Sequence, residues 1–138
     1  MTGSPIIGAQ CVNLSVADLD RAESWYRDIL GFRTVSRERY DAMSLEIAFM
    51  DLADFVIELI QYDDAKSGGV FADPPHHANM RGITHFALRV SDLDVMATQL
   101  SAKGVPILFG PRALAGMKLC FVRDADGNLI KFVERLAQ

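Results

Sequence analysis

"CVNLSVADLDRA" (residues 11–22) and "HFALRVSDLDVM" (residues 85–96) are two versions of one phrase. Leu14, Val16, Asp18, Leu19 and Asp20 recur as Leu88, Val90, Asp92, Leu93 and Asp94, at a constant offset of 74. Each copy then reaches a glycine, Gly31 and Gly104, where the offset has become 73. At that offset Asp51 falls on Asp124, and Glu58 falls on Lys131. Self-similarity on this scale is the mark of a duplicated structural unit. The chain is therefore expected to be one domain of two repeats, about 8–62 and 82–135, joined by a loop at 63–81 that is rich in Gly, Pro and polar residues.

Outward from the repeated phrase, each unit has the same order of elements. Residues 10–16 and 84–90 alternate, with Val12, Leu14 and Val16, then Phe86, Leu88 and Val90, on one apolar face. The opposite faces carry Cys11, Asn13 and Ser15, then His85, Ala87 and Arg89. Asp18 and Asp92 suit helix N-caps, because a short acidic side chain accepts from the free N–H groups of a first turn. Helical spacing puts Leu19, Ala22, Trp25, Tyr26 and Ile29 on one buried stripe, and Leu93, Met96, Ala97 and Leu100 on the other. That spacing makes Trp25 and Tyr26 core residues. Gly31 and Gly104 fit the left-handed position after a helix. Three strands then follow in each unit, at 32–38, 44–51 and 54–62, and at 105–109, 117–123 and 128–135, with a tight turn at Asp126-Gly127. The fold class is α+β: two tandem βαβββ modules in a curled, cavity-enclosing mixed sheet, helices on the outer face. A site belongs on the inner face.

Bulk properties exclude several classes. The chain has 138 residues, half of them hydrophobic, with net charge −4 and pI about 5.2. It has no basic footprint for nucleic acid and no lysine-rich face for a membrane. No charged leader precedes a long apolar run, and no stretch approaches the roughly 20 apolar residues of a membrane span. Cys11 and Cys120 show no metal or redox spacing, so free thiols in a cytoplasmic protein are expected.

Period-two parity places Glu58 and Lys131 on the inner face with Cys11 and His85. The stretches "NLSVADLDRAESWYRDILGF", "VIELI", "ITHFALRVSDLD" and "FVRDADGNLIKFVE" resemble the vicinal oxygen chelate superfamily, which includes glyoxalase I, methylmalonyl-CoA epimerase, extradiol dioxygenases and bleomycin- or fosfomycin-resistance proteins. In its metal-dependent members the first and last strands of each unit supply four ligands, typically His or Gln, Glu, His and Glu. The resemblance sets these on Cys11, Glu58, His85 and Lys131. Lys131 is the departure that matters. An ammonium has no lone pair for a metal and brings a positive charge where the cation would sit. No cofactor is therefore predicted, and a divalent Zn, Ni, Mn or Fe ion is disfavoured; a metal site, if present, would rest on Glu58, His85 and Cys11. Lys131 is expected instead to stand in for the metal's charge and to pair with Glu58 across the pseudo-twofold axis.

Two classes of function follow. The first is a metal-independent isomerase, epimerase or lyase that moves a proton next to a carbonyl of a small oxygenated substrate. Glu58, His85 and Lys131 are its catalytic candidates, and Cys11, Asn13, Arg89 and Arg112 its substrate contacts. The second is a non-catalytic binding or resistance protein for an antibiotic-like or aromatic ligand. A metal-dependent lyase using Cys11, Glu58 and His85 is a further alternative. His76 and His77, in "DPPHHANM", are expected to be exposed loop imidazoles, with a lid as the alternative. "GPRALAGMK", residues 110–118, is expected to be a mobile loop. The resemblance also implies a homodimer, with the modules closing within one chain or across two.

Overall fold

The computed structural model of the protein describes residues 3–137. The first module runs β1 (Val12–Ser15), α1 (Leu19–Trp25) with a π-helical turn at Tyr26–Leu30, β2 (Arg33–Tyr40), β3 (Leu45–Leu52) and β4 (Phe55–Tyr62). The second repeats it as β5 (His85–Arg89), α2 (Leu93–Ala102), β6 (Phe109–Leu114), β7 (Met117–Arg123) and β8 (Leu129–Arg135). Each sheet is mixed, in the orders β1-β4-β3-β2 and β5-β8-β7-β6, with the parallel pairs β1–β4 and β5–β8. The edges of β1 and β5 are not hydrogen-bonded to each other. The eight strands thus form two open four-stranded sheets rather than one closed wall.

The helix starts follow from the sequence. Asp18 accepts from the Arg21 N–H and Asp92 from the Val95 N–H, each at 3.1 Å. A second device is also repeated. Gln61 on β4 accepts from the Leu19 N–H, and Glu134 on β8 from the Leu93 N–H, each at 2.7 Å. The last strand of each module thereby fixes the first turn of its own helix.

One hydrophobic cluster runs through both modules. It joins Leu19, Ala22 and Tyr26 of the first helical segment to Leu93 and Leu100 of α2, with Ile57 and Leu59 on β4 and Ile130 and Phe132 on β8. Burying side chains of this size is worth roughly 1.5–3 kcal/mol each. Asp124 makes a buried polar link between the modules. Its carboxylate is buried, accepts from the Tyr26 hydroxyl at 2.6 Å, from the backbone N–H groups of Asp126 and Asn128 at 2.9 Å each, and from the Asn128 amide at 3.0 Å. Burial, then the Asp124 charge, drives the Tyr26 phenol far above its usual value, so it stays a donor.

One expected element moves. Residues 105–108 are not strand, and "GPRALAGMK" is not a loop: most of it forms the β6–β7 hairpin. The ladder register shifts between Phe109 and Arg112, which takes Gly110 and Pro111 out of regular pairing. Gly110 has φ +86°, and a Cβ there would run into the Leu119 carbonyl oxygen. The Gly-Pro pair that reads as a loop is a bulge inside a strand.

Among the described residues no helix is long and apolar enough to cross a membrane. Both cysteines are free, as expected, and burial pushes the Cys120 thiol up to about 11.

Candidate functional site

The face of each sheet turned away from its helix carries the polar candidates, as parity requires. On β4 Ile57 and Leu59 are buried in the core, while Glu58 between them lies half-buried on the other side. It stands across from Asn13 on β1 and Phe49 on β3. Beside Asn13, the Cys11 thiol donates to the Asn13 side-chain oxygen at 3.1 Å. Tyr40 donates to Glu38 at 2.9 Å, and its phenol is raised first by that bond, with the Glu58 charge among the lesser causes.

The second inner face is built the same way with different chemistry. Lys131 stands across from Ala87 on β5 and Phe121 on β7. His85 packs edge-on to Phe121, ring centroids 5.0 Å apart, and its Nδ1 shares a 2.7 Å hydrogen bond with the Thr84 hydroxyl. His77 reaches the same place from the connector, 5.0 Å from the Phe121 ring and 5.4 Å from His85. Burial, then the Lys131 charge, lowers the affinity of both imidazoles for a proton. The Arg112 guanidinium lies over Phe109 at 5.2 Å, one ring further along the sheet.

Two sequence expectations change here. Among the described residues, Glu58 and Lys131 form no ion pair with each other or with any other side chain, so the expected pairing is not made within the chain. The physical reason is that each sheet ends at its own β1 or β5 edge, and the two inner faces do not close on one another. The second change is His77. His76 is exposed as expected, but His77 is half-buried and its Nδ1 is buried without a hydrogen-bond partner. Nothing in the periodicity of the connector marks it.

Other candidates scatter over two cavities between the modules. Cys11, Asn13 and His85 line one of about 520 Å³, together with Val70, Phe71 and Ile83. Arg89 lines another of about 350 Å³ beside Phe55 and Met96. Glu58, Lys131 and Arg112 line neither.

Within one chain the donor set is incomplete for a metal. Among the described residues no three His, Cys, Asp or Glu side chains converge, and the fourth family position is an ammonium. The arrangement can supply a carboxylate on one face, and an ammonium with two imidazoles on the other.

Residues 8–132 match the Glyoxalase/Bleomycin resistance protein/Dioxygenase superfamily. A lactoylglutathione lyase from Haemophilus influenzae is 27% identical over 130 residues, covering 88% of this chain and 87% of that protein. Among solved structures, a glyoxalase family protein from Bacillus cereus superposes with a TM-score of 0.78 at 22% identity, covering 99% of each chain. TnmS3, an antibiotic binding protein from Streptomyces sp. CB03234, superposes at 0.65 and 20% identity, covering 94% of this chain and 98% of its own. With the family match spanning nearly the whole chain, and both βαβββ modules present in the fold, the protein belongs to the glyoxalase/bleomycin resistance/dioxygenase superfamily.

Proposed function

We propose that the protein is a metal-independent isomerase, epimerase or lyase whose working site is shared by two copies of the chain. The first inner face of one copy closes over the second inner face of the other. One observation carries this reading: equivalent positions on the two faces hold opposite charges, Glu58 and Lys131, and among the described residues of its own chain each lacks an ion-pair partner. Face-to-face closure would give each the other.

In that site Lys131 supplies the positive charge that stabilises an enolate oxygen as a proton leaves the adjacent carbon, as preorganised donors do. Glu58 takes the proton, and His85, held by Thr84, returns it or moves it to the neighbouring atom. Cys11 and Asn13 border the adjoining cavity, and Arg89 and Arg112 lie at the margins as substrate contacts. A binding role for an aromatic or antibiotic-like ligand is the second reading, favoured by the aromatic floor of Phe109 and Phe121.

Complementation tests the shared site. Glu58→Ala and Lys131→Ala chains are mixed, and deuterium exchange is followed by proton NMR at the lactoyl α-carbon of S-lactoylglutathione in D2O. Each variant alone should be inactive. Random mixing leaves one intact site in half of the dimers, so about a quarter of wild-type activity should return. No return of activity in a demonstrated mixed dimer would refute the shared site. Saturable binding of the thioester by wild type without exchange would favour the binding protein.

A further inference from the structure

Arg123 ties the connector to the second module at two points, Phe71 and Asp73, while Gly127 of its own module holds the guanidinium in place. Its guanidinium donates to the Gly127 carbonyl at 2.8 Å, to the Phe71 carbonyl at 2.7 Å and to the Asp73 carboxylate at 2.8 Å. Pro74 is buried just beyond, and a single helical turn at His77–Asn79 then sets the His77 ring down on Phe121. The connector is a strap laid over the inner face, and it delivers one imidazole there.

Around the Phe121 ring the sheet and strap thus assemble His77, His85 and, directly across the ladder, Lys131. Arg112 stands one ring further out. Among the described residues neither Lys131 nor Arg112 has a carboxylate within ion-pair distance. The acidic groups of this module are engaged elsewhere: Asp92 and Glu134 with N–H groups at the start of α2, Asp94 with Lys118, Asp124 with Tyr26, and Asp126 with the Ala17 N–H. Among the described residues the buried His77 Nδ1 has no hydrogen-bond partner. In a native structure such an atom is met by water, an ion or a ligand.

We propose that His77, His85 and Lys131 form a binding site for a small organic carboxylate, the ligand's anion meeting the Lys131 ammonium and one imidazole over the Phe121 ring. This deepens the proposed function, on which it rests for taking Lys131 as substrate-facing, by assigning the substrate a carboxylate. An ammonium has three donors, so Lys131 can serve that carboxylate, the enolate oxygen and Glu58 of a second copy together. A monocarboxylate suits the site because Lys131 is its one group of fixed charge beside Phe121; a phosphate dianion would leave charge uncompensated there.

Calorimetric titration of the full chain with benzoate, benzamide and inorganic phosphate tests the site. Benzoate should bind saturably, and benzamide about tenfold more weakly or worse, since a charge-assisted hydrogen bond is lost. Lys131→Gln and His77→Ala should each weaken benzoate by about tenfold, while His76→Ala changes nothing. In wild type the His77 and His85 ring-proton resonances should move with benzoate at concentrations at which the same amount of benzamide leaves them nearly still. That measurement stands even if His77→Ala fails to fold. Equal affinity for benzamide, tighter binding of phosphate, or unmoved imidazole resonances would each overturn the carboxylate site. Benzoate binding without α-proton exchange would leave this site standing and sink the catalytic reading; exchange without benzoate binding would do the reverse.

Discussion

The two modules match at the back and oppose each other at the front. Behind the sheets, Asp18 and Asp92 cap their helices at the same distance, and Gln61 and Glu134 reach the first helical N–H at the same distance. In front, equivalent strands present Cys11 with Glu58 in one module and His85 with Lys131 in the other. A third equivalent pair shows how far environment separates the copies. Asp51 lies toward the surface and pairs with Arg33, whose side chain is 80% exposed, whereas Asp124 is buried with four donors around it. The repeat fixes geometry. The surroundings of each copy decide what the geometry is used for.

That asymmetry is sharpest at Asp124. Asp124→Ala should cost about 3 kcal/mol in urea unfolding, because it strands several buried donors at once. Asp51→Ala should cost no more than about 0.5 kcal/mol, as exposed pairs do. Equal losses would break the contrast between the two positions. Next come the strand-to-helix bonds. Glu134→Ala should cost about 1.5–3 kcal/mol and Gln61→Ala about 0.5–1.5 kcal/mol, since a charged acceptor binds the N–H more strongly. The reverse order would mean that the bond's charge is unimportant. Smaller still, Asp18→Ala and Asp92→Ala should each cost about 1 kcal/mol and by similar amounts. A wide gap between them would show that the backs of the modules are not equivalent after all.

The smallest effect is a pH slope from the inner face of the second module and the connector laid over it. His77 and His85 both have proton affinities below the ordinary value, so the unfolded chain binds more protons than the native one as pH falls through the histidine range. Their contribution to stability is full above the unfolded value near pH 6.5 and is lost as pH drops through the lower native value. Thermal melts between pH 7.5 and 5 should therefore show a shallow fall that His77→Gln reduces. An unchanged slope in that variant would place the titration elsewhere.

Much of the scaffold is legible in the residues themselves. Alternation places β1, β5, β4 and β8 within a residue or two, and the helix stripes contain the buried Leu19, Ala22, Tyr26, Leu93 and Leu100. Gly31 and Gly104 adopt the left-handed conformation expected of them, at φ 86° and 77°. β6 is obscured because Gly110 and Pro111 read as punctuation, and only the close approach of the Leu119 carbonyl shows that the glycine belongs inside a hairpin. Parity correctly puts Glu58 and Lys131 on the faces away from the helices, but it carries no information on whether those faces meet. His77 is invisible for a related reason. Its position depends on Arg123, some 46 residues away, gripping Phe71 and Asp73. A long-range tether of that kind leaves no local pattern.

The paired glutamine and glutamate that hold each helix from behind have a consequence for how such a chain can change over generations. Because every module is squared up from its rear, substitutions in front do not have to preserve the frame. A ligand position can pass from carboxylate to amine without the helix losing its seat. Under the shared site proposed above, that freedom lets one repeat carry an acid wall and the other a base wall for the same guest.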